Sequence, residues 1–210
     1  MAYTEVVNMH KVRRTLGALL GRRGYEVPGE LTQESVEQFQ QRYDDEAFDP
    51  TLRVVTSTGD TLVVFFSSAP TKLGVAVIRD FYVPLMHEQG VARSILVLQK
   101  GLTNPAVHAV AELPETHNVR IDCFKQEELL WDLMSHSKVP HHRVLSPSEK
   151  IKVMTRLCVT PDQLMVMRTA DPVARYLGLS GHEVVEIRRE TLTAPCLAYR
   201  IVKNTDTSKK

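Results

Sequence analysis

Hydrophobic positions recur along the chain at two spacings, one helical and one extended, and the changes between them mark out its elements. Val6, Met9, Val12, Leu16 and Leu19 fall at helical intervals and predict an opening amphipathic helix. Lys11, Arg13, Arg14, Arg22 and Arg23 sit off that stripe, as a basic face for DNA or an acidic partner, or as a solvated surface. Gly24, Pro28 and Gly29 make 21–29 a loop, and Thr32 is placed to cap a second helix with Val36, Phe39 and Tyr43 on one face. Asp44-Asp45-Glu46 and Pro50 end it. Strands follow over 52–56 and 61–66, separated by the turn chemistry of Ser57-Thr58-Gly59-Asp60. Val75, Ile78, Tyr82 and Leu85 mark a helix that Pro84 kinks or breaks near its end. Residues 94–99 form a continuous apolar strand, and 104–113 a short helix with Val107 and Val110 inward and Pro114 as its stop. A strand over 119–124 and a helix over 126–134, carrying Leu129, Leu130 and Leu133, complete the series. Strands alternating with helices predict an α/β layer, with right-handed crossovers where neighbouring strands run parallel.

The pattern is densest over 163–202. Asp171-Pro172-Val173-Ala174-Arg175-Tyr176-Leu177-Gly178 reads as a very short helix with both ends specified. Asp171 caps the N-terminus, Pro172 takes the first helical position and Gly178 supplies the left-handed stop. Val173, Tyr176 and Leu177 share one buried face, and Arg175 points away. Two strands follow, 184–188 and 197–202, in which Val185 and Ile187, then Leu197, Tyr199 and Ile201, alternate with polar or small residues. So small a helix and sheet make a meagre core, and units of this size lean on a larger partner.

Composition narrows the class. The 210 residues hold one large or two modest domains, with 43% hydrophobic and 24% charged residues. A net charge of +1 lacks the basic excess of a free-standing DNA-binding domain, so any nucleic-acid contact belongs to a larger assembly. Cys123, Cys158 and Cys196 are far apart and form neither a zinc ribbon nor a disulfide framework, which fits a reducing compartment. The N-terminus has no signal-peptide pattern, and no apolar run is long enough to span a bilayer.

Asp171 to Leu179, then Gly181-His182-Glu183-Val184-Val185-Glu186-Ile187, then Ala198-Tyr199-Arg200-Ile201, resemble the C-terminal assembly module of the small subunit shared by eukaryotic nuclear RNA polymerases I, II and III. That family also has an archaeal counterpart. The resemblance runs upstream through Val139-Pro140-His141-His142, where the family reads Val-Pro-Glu-His, and more weakly over the N-terminal part. It implies an α/β fold, α+β overall: a mixed-sheet jaw domain over 1–139, a connector near Val139–His142 and an assembly module over 140–210; the residues of 204–210 themselves read as a disordered tail. It also implies a non-catalytic nuclear subunit, needing neither cofactor nor metal, that docks on the largest polymerase subunit and a neighbouring small subunit. Asp171, Pro172, Arg175, Tyr176, Tyr199 and Arg200 are the docking candidates, with internal packing the alternative for the two tyrosines. The jaw would lie beside downstream double-stranded DNA, touching its backbone rather than its bases, and would be open to transcription factors.

The strand over 94–99 runs into Lys100-Gly101-Leu102-Thr103-Asn104-Pro105 directly before a helix. Such a turn offers free N–H groups and the positive helix end to a phosphate, with Lys100, Gly101, Thr103 and Asn104 the DNA-proximal candidates; the bland account is that Asn104 only caps the helix. The family loop reads Met-Thr-Pro-Ser-Ala, so Thr103 carries over while Asn104 and Pro105 depart in order. No phosphate-cradling loop, dinucleotide fingerprint or nucleophile elbow occurs. His141 and His142 point opposite ways on an extended chain and do not share a metal. A metal-dependent nuclease would need clustered carboxylates, and Asp60 and Asp122 are solitary. A free-standing interaction adaptor on the same fold is the competing class. Two departures stand out: Leu164-Met165-Val166-Met167 where the family has Leu-Pro-Arg-Ile, and Thr191 to Leu197 where it has Ser-Glu-Thr-Ala-Gly-Arg-Tyr. They suggest a diverged isoform fitted to one polymerase, the nucleolar ribosomal-RNA polymerase; drift in a fast-evolving lineage accounts for the same changes.

Overall fold

A computed structural model describes residues 3–43, 50–57, 59–190 and 194–203. The helix stop at Asp44–Glu46, the turn residue Thr58, the departures at Thr191–Thr193 and the tail from Asn204 lie outside the described residues. The chain divides into two compact units between Trp131 and Asp132. Val139–His142 lies within the second unit, where its last two residues open a strand.

The first unit begins with α1, Tyr3–Arg22, which buries Val6, Val12, Leu16, Leu19 and Leu20. Arg13, expected on the basic outer face, is also buried: its guanidinium donates to the Pro50 carbonyl (3.1 Å) and lies over the Phe39 ring. Two short helices follow, α2 (Gly29–Gln33) and α3 (Val36–Tyr43). The cap of the helix carrying Phe39 is Ser35 rather than Thr32: its hydroxyl accepts from Gln38 N–H while Gln38 Oε1 accepts from Ser35 N–H. Strands β1 (Leu52–Val55), β2 (Thr61–Ser67), β3 (Arg93–Leu98) and β4 (Arg120–Lys125) lie in that order, β1 antiparallel to β2 and the other pairs parallel. Val63, Phe65, Leu96, Leu98 and Ile121 form one core face; the alternate residues Leu62, Val64, Ile95 and Val97 are buried as well. A sheet covered on both faces reads as a continuous apolar run.

Between β2 and β3, α4 (Val75–Val77) and α5 (Val83–Glu88) are joined through a wider turn over Ile78–Tyr82, where Val83 N–H donates to the Ile78 carbonyl. Widening the turn just ahead of Pro84 gives the ring room, so the helix neither stops nor breaks there. α6 (Asn104–Thr116) runs through Pro114 instead of ending at it. Its buried stripe is Ala106, Ala109 and Leu113, while Val107 is 52% exposed. The helix expected over 126–134 is two short tight turns, Gln126–Leu129 and Leu133–Ser135. Asp132 stands between them and caps the second, accepting from Met134 N–H at 3.1 Å.

In the second unit β5 (His141–Val144), β7 (Val184–Arg189), β8 (Cys196–Lys203) and β6 (Met165–Arg168) form one sheet in that order. β7 is antiparallel to both neighbours, and β6 runs parallel to β8. Helix α7 (Pro147–Leu157) precedes β6, and α8 (Pro172–Leu177) follows it. Met167, Ala174, Leu179, Val185, Ile187 and Val202 pack on one side; Leu145, Leu164, Val184 and Ile201 pack on the other, with Val153 and Val159 against them. β8 is thus buried on both faces at its C-terminal end, where Ile201 and Val202 are both inaccessible, and open at its start, where Leu197 is 52% exposed.

Candidate functional site

The first candidate site is the loop at the C-terminal edge of the parallel strands. β3 ends at Leu98, and the chain reverses through Gly101 at φ +89°, a conformation only glycine adopts without strain. Leu73 clasps the loop: its N–H donates to the Gly101 carbonyl (3.1 Å) and its carbonyl accepts from Thr103 N–H (3.0 Å). The Thr103 amide is therefore already spent, one fewer than the sequence leaves free. Thr103 rather than Asn104 is the N-cap of α6, and its side chain makes no capping bond. Asn104 is the first helical residue and is exposed, as is Lys100. A Cβ on Gly101 would lie 3.2 Å from Lys125 Cε, so the Lys125 stem runs beside the loop. Sequence reasoning missed Lys125, although it closes β4 in register with Leu98, where a parallel neighbour of β3 must end. Two ammonium groups, a hydroxyl and a carboxamide are groups that can hold an anion by charge and donation.

The second candidate site lies around α8. Asp171 accepts from Val173 N–H at 2.9 Å, Pro172 opens the helix and Gly178 closes it at φ +67°. Tyr176 is 3% exposed, and its hydroxyl donates to Asp132 at 2.7 Å. Tyr199 is half-buried; its hydroxyl accepts from Arg156 (3.0 Å) and donates to Glu186 (3.2 Å). Both hydroxyls thus serve the unit itself. Glu186 also meets Arg143, which reaches Glu149 at 2.7 Å. Glu149, Arg143, Glu186, Tyr199 and Arg156 therefore form one chain of charge and hydrogen bonds, which no spacing in the sequence signals. The Arg143 guanidinium, with the Ser146 backbone and hydroxyl, holds the Glu149 carboxyl down at about 2.

Arg200 faces the other side of the sheet from Tyr199, as successive strand residues must. It lines a cavity of about 390 Å³ with Met167, Arg168, Ala170 and Asp171, which brings Asp171 and Arg200 together. Among the described residues its Nε is buried without a hydrogen-bond partner. Arg175 is half-buried on α8. In the same unit Met165 (63%), Val166 (43%) and Leu197 (52%) are exposed, and all three lie in the segments that depart from the family pattern. Among the described residues no cluster of His, Cys, Asp and Glu could hold a metal ion, and no helix is long and apolar enough to cross a membrane.

Residues 3–84 match the family described as RNA polymerase Rpb5, N-terminal domain, and residues 131–202 match RNA polymerase Rpb5, C-terminal domain. The chain belongs to the RNA polymerase Rpb5 family. The family resemblance read from Asp171 to Ile201 and the α+β class both hold. Relatives include "DNA-directed RNA polymerases I, II, and III subunit rpabc1" of Dictyostelium discoideum, 38% identical over 68% of this chain and 72% of that protein. The Caenorhabditis briggsae subunit RPABC1 of polymerases I, II and III is 30% identical over 94% of this chain and 97% of its own length. "DNA-directed RNA polymerase V subunit 5A" of Arabidopsis thaliana is 30% identical over 90% of this chain and 86% of that protein. The Rpb5 family thus contains members named for several polymerases and a member named for one.

Proposed function

We propose that the chain is a non-catalytic, architectural subunit of a nuclear DNA-directed RNA polymerase, acting in transcription. The observation that carries this reading is the pair of Rpb5 matches, one in each half of the chain and in the family's order. The second unit docks on the largest subunit and a neighbouring small subunit through the surface around Arg200 and Arg175. Asp171 and Pro172 fix the short helix there, and Tyr176 and Tyr199 stiffen the scaffold behind it. An N–H held from water without an acceptor costs about 1–3 kcal/mol, and a partner's carbonyl or carboxylate at Arg200 Nε removes that cost. The first unit is the jaw, with Lys100, Gly101, Thr103, Asn104 and Lys125 beside the backbone of downstream DNA and an outer face open to transcription factors. Affinity purification of the tagged chain from nuclear extract is expected to recover a largest polymerase subunit. Arg200→Ala should lower that recovery about tenfold or more, the scale of a central interface arginine. Elution of the chain away from the large complex on size exclusion would instead identify a free-standing adaptor.

A second reading concerns which enzyme the chain serves. Val166 and Leu197 place apolar surface where the family pattern carries arginine and tyrosine, which exchanges directed hydrogen bonds for apolar contact. This supports a copy fitted to one polymerase rather than one shared by all three, with the nucleolar ribosomal-RNA polymerase as the proposed host. Quantitative mass spectrometry of the purified complex then recovers one largest subunit in excess; all three in proportion would sink the dedicated copy and leave the subunit role intact.

A further inference from the structure

The net charge of +1 hides a division between the two units. Residues 1–131 carry thirteen Lys and Arg against seventeen Asp and Glu, whereas 132–210 carry thirteen against eight. The jaw is net acidic and the second unit is net basic. Within that unit the positive side chains converge at one end of the sheet. A groove of about 550 Å³ is lined by Lys138, Pro140, His141, Arg188, Arg189 and Glu190, together with Ser137. His141 and Arg188 are directly opposed in the β5–β7 ladder, so their side chains emerge on one face. Arg189, the next residue, points to the other face, and the strand end presents cations on both. Lys138, His141, Arg188 and Arg189 are exposed, and among the described residues none has an ion-pair partner. Glu190 is the one carboxylate in the lining; Glu186, further along β7, is engaged by Arg143.

Two kinds of partner answer to such a surface, an acidic polypeptide or a nucleic-acid backbone. Stable protein interfaces carry an apolar or aromatic centre and few charges at it. This groove has the reverse: cations over an open strand end, with Val139 and Pro140 its only apolar lining. Phosphates need no more than cations and donors arranged along their path. We propose that the groove formed by Lys138, His141, Arg188 and Arg189 is a second nucleic-acid contact of this subunit, separate from the Lys100 loop, that holds a phosphate backbone passing the second unit. The proposal rests on the polymerase-subunit reading above.

The test uses the assembled polymerase. A photo-crosslinking benzoylphenylalanine replaces Ser137, which leaves the cations in place, and the enzyme is purified through its largest subunit and stalled on a labelled DNA template with labelled transcript. Recovery of the chain with the largest subunit is checked first, and failure there tells against the subunit reading rather than the groove. In the recovered complex, irradiation is expected to attach the label to this chain. Attachment only to another polypeptide would identify an acidic protein partner, and no attachment would identify a solvated face; either overturns the proposal. In parallel, the triple variant Lys138→Ala, Arg188→Ala, Arg189→Ala should reduce the log–log salt slope of complex dissociation by about 2–3, close to one per lost phosphate contact. An unchanged slope would also overturn it.

Discussion

Glu149 shows how much a single exposed carboxylate is constrained here. It closes the capping box of α7 by accepting from Ser146 N–H (2.9 Å) and also takes the Arg143 guanidinium (2.7 Å). Those partners bring its carboxyl from the ordinary 4.5 to about 2, the Arg143 hydrogen bond contributing most. A carboxyl depressed by folding stabilises the folded state fully above about 4.5, and that contribution disappears as pH falls through about 2. Chemical-shift titration of the Glu149 side chain should therefore show a midpoint near 2, moving towards 4.5 in Arg143→Ala. A wild-type midpoint near 4.5 would refute the arrangement. Gly101 carries a different constraint. The nearest atoms to a Cβ there belong to the Lys125 side chain, tightest at its Cε near the flexible end, a contact that gives way cheaply, so the main cost of Gly101→Ala lies in forcing alanine to φ +89°. The expected loss is about 1–2 kcal/mol in chemical denaturation, with the loop 99–103 displaced.

Elements are legible where local chemistry decides them alone. Asp171, Pro172 and Gly178 specify α8 without help from the rest of the molecule, and the apolar runs of β2 and β3 admit no other assignment. Pattern misleads where packing chooses between equals. In α6 a valine looks more like core than an alanine, yet close approach of the helix to the sheet puts the small Ala106 and Ala109 inside. Arg13 and Arg23 look like surface because a partner far along the chain is invisible to periodicity: Arg23 meets Asp122 at 2.8 Å, with Arg120 on the same carboxylate. Helix α7 escapes a search for apolar stripes because none of its residues is buried, although Ser146-Pro147-Ser148-Glu149 holds its capping signature. The candidate sites divide the same way, for Lys100 and Thr103 sit in one turn whereas Lys125 joins them only through strand register. Arg23 is almost fully buried, and burial lowers its pKa against the opposing pull of Asp122. Asp122→Ala removes the carboxylate that opposes this desolvation, and breaking a buried pair costs about 3–5 kcal/mol. A loss under about 1 kcal/mol in urea denaturation, the scale of an exposed pair, would mean that Arg23 simply swings out to water.

At the scale of the molecule, each unit holds a core of its own: a doubly covered parallel sheet in the first, and in the second a smaller sheet with buried residues on both faces. A sheet packed on two sides by residues of its own unit is not the meagre half-layer that the 163–202 stretch suggests when taken alone. The missing element is α7, since Val153 and Val159, within and just after it, pack against the cluster of Leu145, Leu164, Val184 and Ile201. What fits the proposed docking is the surface of the second unit, where among the described residues Arg200 Nε is unsatisfied and Met165, Val166 and Leu197 are exposed. On the proposed reading stability and exposure separate: the unit's interior holds it together, and its unsatisfied groups are the ones offered to a partner. Tyr176→Phe distinguishes the two. It removes the hydroxyl's bond to Asp132, a hydrogen bond to a charged group worth about 1.5–3 kcal/mol, and leaves the outer surface untouched. Hydrogen exchange on the full chain should speed up in β7, β8 and α8, with polymerase recovery unchanged so long as the unit remains folded. Arg200→Ala should do the opposite, leaving exchange at wild-type rates or slower while recovery falls. If Arg200→Ala instead loosened the sheet as much as Tyr176→Phe does, its guanidinium would be a support of the unit and not a contact held open for the polymerase.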